Sequence, residues 1–230
     1  TYWNEFKKLI PKDFEFTGRH TSQHPRAAGD QLNAMLNYGY ALLEAECLRA
    51  INSTGLDAHI GFLHEKNLGK YSLAYDCQEL FRWMIDLAVV ELIENKTMKK
   101  SDFIRTENYN LRLRPSGAKK LTEAISKQLR RKNSYKGKNQ SYQHIILLKV
   151  RELQQHIIGK TKKINLTTPK NNLKRADTED LRQKILNITY KAWQQMGFSK
   201  GTLHYMKQNA RKNEPFTLNK HIIEALKSIN

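Results

Sequence analysis

Apolar residues recur every three or four positions along much of the chain, which is the spacing of one face of an α-helix. The pattern is clearest in the first half, where one apolar face comprises Leu32, Leu36, Tyr40, Leu43, Cys47 and Ile51. Asp30 precedes this face as a suitable N-cap and Gly55 follows its end, so a long helix is predicted between them. Few segments alternate between apolar and polar residues as strands do. The pattern therefore predicts a mainly α-helical fold.

Further helices are predicted on both sides of this long one. The same periodicity places them at residues 1–10, 75–94, 115–131 and 141–158. Pro11 ends the first of these, and Pro115 occupies the first position of its helix, where proline is favoured. Residues 12–28 lack the periodicity and are predicted to form a loop. Residues 1–159 are thus predicted to make one helical domain.

The composition changes near residue 160. Residues 160–175 contain five lysines and almost no apolar periodicity, which is typical of a flexible basic linker. Residues 176–230 then predict two short helices, a turn at Gly197 and a further helix capped by Ser199. Helices joined by such a turn indicate a helix-turn-helix domain, which binds either DNA or another protein. The residues that its second helix would present to DNA are Lys200, Thr202, His204 and Lys207.

The chain is strongly basic, with a net charge of +18 at pH 7, and this predicts a polyanionic partner. The excess is concentrated between Lys96 and Lys163, where there are 19 Lys or Arg residues and only 4 Asp or Glu. Its densest cluster comprises Arg112, Arg114, Lys119, Lys120, Arg130, Arg131, Lys132, Lys136 and Lys138. Tyr135 and Tyr142 lie among these cations, a combination that holds a phosphate backbone and stacks on bases. The alternative is a solvated charged face.

Three side chains in the middle of the chain have the chemistry of a metal site. His64 ends an apolar turn that begins at Gly61, and Asp76 and Glu79 follow in the next helical segment. Histidine and carboxylate together suit a divalent cation that acts on phosphate oxygens. Asp76 lies three residues before Glu79, on the same side of a helix, and would be an auxiliary ligand or would orient His64. The alternatives are a packed turn histidine, an N-cap at Asp76 and a helix-dipole charge at Glu79.

The sequence disfavours several other classes of protein. It contains no glycine-rich phosphate loop, no Cys-x-x-Cys pair and no His-Glu-x-x-His motif. Its longest apolar run ends at Val90, far short of the roughly 20 residues that span a bilayer, so no membrane partner is expected. Cys47 and Cys77 lie in apolar helical patterns and are predicted to be buried free thiols, which fits a cytoplasmic protein.

Four segments stand in a recognisable order: Leu36–Leu43, Gly61–His64, Ser72–Arg82 and Thr106–Tyr109. Together they resemble the catalytic domain of the CRISPR adaptation integrases, whose transposon-borne relatives are the casposases, and the resemblance covers residues 1–158. It implies that His64 and Glu79 are two of three ligands of a catalytic Mg²⁺ or Mn²⁺. The third ligand in that family is a Glu upstream of a Tyr-Trp-like segment. Tyr2 and Trp3 match that segment, so the Glu is expected to precede Thr1 in an upstream part of the protein.

The resemblance and the basic character together predict a metal-dependent DNA integrase, which joins DNA ends with a free 3′-hydroxyl to double-stranded target DNA by transesterification. The appended helix-turn-helix favours a casposase, with a CRISPR adaptation integrase that inserts spacers as the alternative. A metal-dependent endonuclease and a non-catalytic DNA-binding protein are further alternatives. The resemblance also implies a homodimer or higher oligomer and, for the adaptation version, a small second adaptation protein.

Overall fold

The computed structural model describes residues 2–19, 28–65, 68–107, 110–168, 179–212, 216, 218 and 220–227. The chain divides into two compact units, Thr1–Pro169 and Lys170–Asn230. Several parts of the sequence predictions lie outside the described residues, among them residues 20–27 of the predicted loop, Asn108 and Tyr109 of the fourth motif, linker residues 169–175 and residues 176–178 of the second domain. Among the described helices, none combines the length and the apolar character that crossing a bilayer requires.

The first unit is mainly helical, as predicted. Its α-helices are α1 (Tyr2–Lys7), α2 (Gln31–Asn52), α3 (Ser72–Glu79), α4 (Arg82–Glu94), α5 (Pro115–Arg130) and α6 (Tyr142–Ile157), with 3₁₀ turns at Lys12–Phe14 and Lys100–Asp102. It also contains two antiparallel hairpins, β1 (Phe103–Arg105) with β2 (Leu111–Leu113) and β3 (Lys132–Tyr135) with β4 (Lys138–Ser141). These hairpins are absent from the sequence-based prediction, because strands of three or four residues are too short to display alternation.

Helix α2 is the centre of this unit, and α3, α4, α5 and α6 all contact it. It begins as predicted, with the Asp30 side chain accepting a hydrogen bond from the backbone N–H of Asn33. Of its predicted apolar face, Leu32, Leu36, Leu43, Cys47 and Ile51 are buried and Tyr40 is half-buried. Gly39 lets α4 approach closely, because an added Cβ would lie 2.4 Å from Cγ2 of Ile85. The glycine of the first motif is therefore explained by packing.

The helix predicted at residues 75–94 is in fact two helices. Helix α3 ends at Glu79 and α4 begins at Arg82, because Phe81 leaves helical geometry at φ −123° and buries its ring in the core. The break puts Glu79 at the C-terminal end of α3, where a negative charge does not complement the helix dipole. It also puts Asp76 inside α3, whose N-cap is Tyr71. The alternative roles predicted for these residues, an N-cap at Asp76 and a helix-dipole charge at Glu79, are therefore wrong.

The β3–β4 hairpin turns tightly at Lys136 and Gly137, which have φ values of +50° and +74°. This left-handed pair is what a two-residue hairpin turn requires. The hairpin leads into α6, whose N-cap is Ser141. The prediction that Tyr142 stacks on bases is wrong, because its ring is only 1% exposed and packs edge-on against Trp83.

The second unit contains α7 (Glu179–Asn187), α8 (Tyr190–Gln195), α9 (Lys200–Arg211) and α10 (Lys220–Lys227). Trp193 is fully buried in its core, and the indole N–H donates to the carbonyl oxygen of Ser199 at 2.9 Å. The Ser199 hydroxyl accepts a hydrogen bond from the backbone N–H of Thr202 and so caps α9, as predicted. These contacts define the turn between α8 and α9, in which Gly197 has φ +82°.

Candidate active site

His64 lies in a short loop between α2 and α3. Gly61 is required there, because an added Cβ would lie 2.7 Å from Oδ2 of Asp76 and 2.9 Å from the carbonyl oxygen of His64. The backbone therefore wraps closely around the Asp76 carboxylate. We call residues 61–65 the His64 loop.

Asp76 is the buried anchor of the His64 loop. Its Oδ2 accepts hydrogen bonds from the backbone N–H groups of Phe62 and Leu63, and its Oδ1 accepts one from the N–H of His64. Burial raises the pKa of the Asp76 carboxyl, but these donors and the His64 ring outweigh burial and hold that pKa below its usual range. Asp76 is therefore ionised at neutral pH and fixes the path of the loop.

The same carboxylate orients the His64 ring. Nδ1 of His64 lies 2.7 Å from Oδ1 of Asp76, so Nδ1 carries the proton and Nε2 remains open. The side chain is 44% exposed, and its ring packs against Tyr75 at 5.7 Å between centroids. Metal-binding histidines are typically held by a carboxylate at one nitrogen and open at the other. Of the two roles predicted for Asp76, the orienting contact is the one present in the structure.

Glu79 lies one helical turn beyond Asp76, and its side chain is 41% exposed. Its Oε1 accepts a hydrogen bond from Nη1 of Arg82 at 2.7 Å. The Arg82 guanidinium also lies 4.8 Å from the centre of the Tyr40 ring. The Glu79 carboxylate is thus accessible to a ligand while one of its oxygens is held by a cation. The spacing of three residues is the signal by which Arg82 could be found from the sequence.

Tyr40 connects this ion pair to a buried carboxylate, Asp86. The hydroxyl groups of Tyr2 and Tyr40 each donate a hydrogen bond to Asp86 at 2.5 Å. Burial raises the pKa of the Asp86 carboxyl, while the two hydroxyl groups and the positive charge of Arg82 act in the opposite direction. These contacts join α1, α2 and α4 next to the site.

A cavity of about 1080 Å³ opens beside the His64 ring. Tyrosine and cationic side chains from separate segments line it, namely Tyr38, Tyr40, Tyr71, Tyr75, Arg19, Lys70 and Arg112. Of these seven residues, the sequence analysis singled out Arg112 alone as a candidate site residue. The other six come from separate segments of the chain and share no local pattern that would mark them as neighbours. Asn37, Ala41 and Glu44 also line the cavity, and their helical spacing is the signal that α2 has a second, open face.

The predicted metal ligands can be compared with what a divalent metal ion requires. In the described part of the chain, no three His, Cys, Asp or Glu side chains are grouped so that they could hold an ion. Both oxygens of Asp76 are occupied by the His64 loop, which leaves His64 and Glu79 as the candidate protein ligands. An imidazole and a carboxylate fit Mg²⁺ or Mn²⁺, ions that keep several ligands from water or substrate. The two side chains therefore have suitable donor chemistry, although His64 lines the cavity and Glu79 is not among its lining residues.

The predicted basic cluster contains both ion-paired and exposed cations. Nζ of Lys120 lies 2.7 Å from the buried Asp102, and Nζ of Lys136 lies 2.8 Å from Glu152, so each of these two lysines has a carboxylate partner within the fold. Arg131 is half-buried. The exposed members, which lie on β2, α5 and the β3–β4 hairpin or beside them, are Arg112, Arg114, Lys119, Arg130, Lys132, Lys136 and Lys138.

The four residues predicted to contact DNA from α9 differ in their surroundings. Lys200, Thr202 and His204 are exposed. Lys207 instead donates from Nζ to the carbonyl oxygen of Leu186, at 2.9 Å, near the C-terminal end of α7. Burial lowers the pKa of Lys207, and a cation at a helix C-terminus complements the helix dipole. Lys207 therefore connects α9 to α7, and the first three residues remain the accessible ones.

The chain is similar to known proteins over much of its length. A family model described as CRISPR associated protein Cas1 matches residues 1–127. CRISPR-associated endonuclease Cas1 1 of Archaeoglobus fulgidus is 37% identical over 161 residues, which are 69% of this chain and 46% of the relative. The chain thus spans about half the length of the curated relatives it matches.

Two solved structures extend the comparison to the fold. A casposase bound to integration product is 52% identical and superposes with a TM-score of 0.72, over 75% of this chain and 51% of the other. A Cas1 protein from Thermotoga maritima superposes with a TM-score of 0.60 at 24% identity, over 70% of this chain and 50% of the other, and supports the fold alone.

Proposed function

Because the chain belongs to the family of CRISPR associated protein Cas1, we propose that it is a divalent-metal-dependent DNA integrase of the casposase type. The observation that carries the proposal is the His64–Asp76 pair, which opens on a cavity lined by tyrosines and cations. The 52% identity to a casposase supports this version over a CRISPR adaptation integrase.

His64 and Glu79 are the residues that would hold Mg²⁺ or Mn²⁺. When bound, the ion stabilises negative charge on the attacked phosphate and makes the attacking hydroxyl a better nucleophile. Asp76 keeps the His64 ring in one tautomer and one orientation, with Nε2 open. Arg82 holds one oxygen of Glu79 and limits the rotation of that carboxylate. Asp76 and Arg82 thus act on the geometry of the ligand pair.

The reaction is a transesterification. The 3′-oxygen of the incoming DNA end forms a bond to the target phosphorus, and the bond from that phosphorus to a target 3′-oxygen breaks. The attacking hydroxyl loses a proton to solvent or a nearby base, and the departing oxygen takes one up. One phosphodiester bond replaces another, so the reaction needs no energy from a nucleoside triphosphate. The chain contains no glycine-rich phosphate loop that would bind one.

The cavity beside His64 is suited to a DNA strand. Tyr38 and Tyr71 are each more than one-third exposed and offer faces on which a base stacks. Lys70 and Arg112 line the same space and can neutralise backbone phosphates. A strand held in this cavity would bring a phosphodiester next to the His64 ring.

DNA affinity is expected to fall steeply as salt rises, because the exposed cations of the first unit release counterions from the DNA. Replacing Arg130, Lys132 and Lys138 with Gln should reduce the slope of log affinity against log salt by about 0.9 for each phosphate that is no longer neutralised. Titration of a labelled duplex at several salt concentrations measures the slope. Lys7→Gln with Lys12→Gln, two exposed lysines outside the cluster, is the control. Equal slopes in both variants would contradict a DNA-binding role for the cluster.

Removing the second unit, by ending the chain at Pro169, is expected to weaken DNA engagement or target choice more than the chemical step. The boundary between the two units lies there, so the first unit keeps its core. Affinity should fall by at least about tenfold, while joining at saturating DNA changes by less than about threefold. Lys200→Ala with His204→Ala should reproduce part of the effect. A truncated chain with unchanged affinity and unchanged insertion sites would show that α8 and α9 do not read DNA.

A CRISPR adaptation integrase is the second candidate, supported by the 37% identity to a protein named as a CRISPR-associated endonuclease. That version would work with a small partner protein. Either integrase is proposed to act as a homodimer or higher oligomer, because joining two DNA ends to two target strands requires two active sites.

The direct test combines the protein with Mn²⁺ or Mg²⁺, a 3′-hydroxyl oligonucleotide and supercoiled plasmid. Oligonucleotide joined to plasmid without any other protein would support a casposase. Nicking without joining would support an endonuclease, or an adaptation integrase that lacks its partner. DNA binding with no metal-dependent product would support a non-catalytic DNA-binding protein and contradict the proposal.

A further inference from the structure

The chain folds back along α6 after this helix ends. Nδ1 of His156 lies 2.9 Å from the carbonyl oxygen of Thr161, and the carbonyl oxygen of Asn165 accepts a hydrogen bond from Nζ of Lys149 at 2.5 Å. Lys149 lies about two helical turns before the end of α6, so the returning segment runs beside the helix. We call residues 161–168, which lie beyond the part matched by the family model, the strap.

Lys149 is a strong anchor for the strap because its side chain is only 4% exposed. Burial lowers the pKa of the Lys149 amine, while the nearby Glu152, 3.4 Å away, acts in the opposite direction. A buried ammonium group that loses an acceptor cannot replace it with bulk water. The contact with Asn165 is therefore costly to break, and it fixes the position of the neighbouring Leu166.

Leu166 brings the strap to the back of the His64 loop. Leu166 and Phe62 line the same apolar crevice, whose other walls include Cys77 of α3 and Ile146 of α6. The free volume of this crevice is about 10 Å³, roughly the least that one water molecule needs. Phe62 is half exposed, so the crevice backs one side of its ring, while its backbone N–H is held by Asp76.

We propose that the strap positions the His64 loop, with Leu166 acting through Phe62 on the His64 ring. The expected effect on strand joining rests on the proposed function, whereas the expected effect on the His64 loop is independent of that function. Phe62, Leu63 and His64 donate three consecutive backbone hydrogen bonds to Asp76. Space created behind Phe62 allows these three hydrogen bonds to break more often. Small displacements of a catalytic side chain then slow the reaction strongly. Leu166 is a positioning residue in this scheme.

The test measures hydrogen exchange and strand joining in Leu166→Ala. Exchange at the amides of residues 62–64 should become at least about tenfold faster, with the rest of the unit unchanged. Joining at saturating DNA should fall about tenfold, with the DNA concentration for half-maximal rate within about twofold of the wild type. Lys149→Met removes the anchor without changing the Leu166 side chain itself, and it should accelerate exchange at the same three amides. Leu166→Met should restore both readouts.

Ile158→Ala is the matched control, because Ile158 is an exposed apolar residue just after α6 that does not line the crevice. It should leave exchange and joining unchanged. Unchanged exchange at residues 62–64 in both Leu166→Ala and Lys149→Met would overturn the proposal, and so would an equal increase throughout the first unit. If His64→Ala joins DNA normally, the proposed function fails instead, and exchange alone decides whether the strap holds the loop.

Discussion

Replacing His64 with alanine is expected to reduce strand joining by at least about 1000-fold while leaving DNA affinity within about twofold of the wild type. The imidazole is the candidate ligand that Asp76 orients, and its removal leaves Glu79 alone of the two proposed ligands. DNA affinity comes from exposed cations elsewhere in the chain and should persist. Joining of a labelled oligonucleotide to plasmid and a binding titration of the same oligonucleotide measure the two quantities.

His59→Ala is a suitable control for this experiment. His59 is also exposed, packs on Tyr71 at 4.8 Å between ring centroids, and has Nδ1 2.9 Å from the carbonyl oxygen of Lys70. It lies in the same region of the chain, but its ring has no carboxylate partner among its described contacts. Its replacement should reduce joining by less than about tenfold. Joining at the wild-type rate by His64→Ala would remove the imidazole from the mechanism.

Replacing Asp76 with alanine is expected to reduce both stability and joining. Its side chain is fully buried and accepts three backbone hydrogen bonds and one from the His64 ring. Removing it takes the shared acceptor from four donors at once, so the free energy of unfolding should fall by about 3 kcal/mol. Joining should fall by at least about 100-fold, because the His64 ring loses the group that orients it. Urea unfolding and the joining assay measure the two effects.

The loss of stability should also depend on pH in a defined direction. The folded state holds the pKa of Asp76 below its usual range, so its contribution is complete above about pH 4 and is lost as pH falls through the lower folded-state value. The difference in unfolding free energy between the wild type and Asp76→Ala should therefore shrink at acid pH. A constant difference between about pH 2 and pH 7 would contradict the assignment.

Glu79→Ala is the matched carboxylate control in the same helix. Its single described ion pair, with Arg82, is partly exposed, so its loss should cost less than about 1 kcal/mol of stability. Joining should nevertheless fall by at least about 100-fold if Glu79 holds the metal. Loss of joining without loss of stability in Glu79→Ala would distinguish Glu79, as a metal ligand, from Asp76, which orients one. Equal losses of stability in Asp76→Ala and Glu79→Ala would contradict the different roles assigned to them.

Regular periodicity made much of the fold predictable. The boundaries of α2, α5 and α6 follow from their apolar faces together with Asp30, Pro115 and Ser141, which are local signals within a few residues of each helix start. The single long helix predicted at residues 75–94 is wrong because Phe81 satisfies the helical pattern but breaks the backbone to fill the core. Packing decides such a break, and periodicity alone does not reveal it.

The residues of the candidate site could be proposed from the sequence, but only part of their geometry could. His64, Asp76 and Glu79 are recognisable from residue type, order and resemblance. Their separate roles are not recognisable in this way, because Asp76 is bound to the loop by backbone N–H groups, which carry no sequence signal. The failure at Tyr142 has the same origin: a tyrosine among cations looks like a stacking surface until the fold buries its ring.

Composition and short-range patterns were enough to predict the helical class, the long central helix, the basic character and the residue types of the candidate metal site, because each of these depends on residues a few positions apart. The packed fold was needed to show which carboxylate orients His64, which lysines pair with Asp102 and Glu152, and which side chains line the cavity. These properties depend on contacts between residues far apart in the chain. Such contacts arise when the elements pack, and no local pattern encodes them.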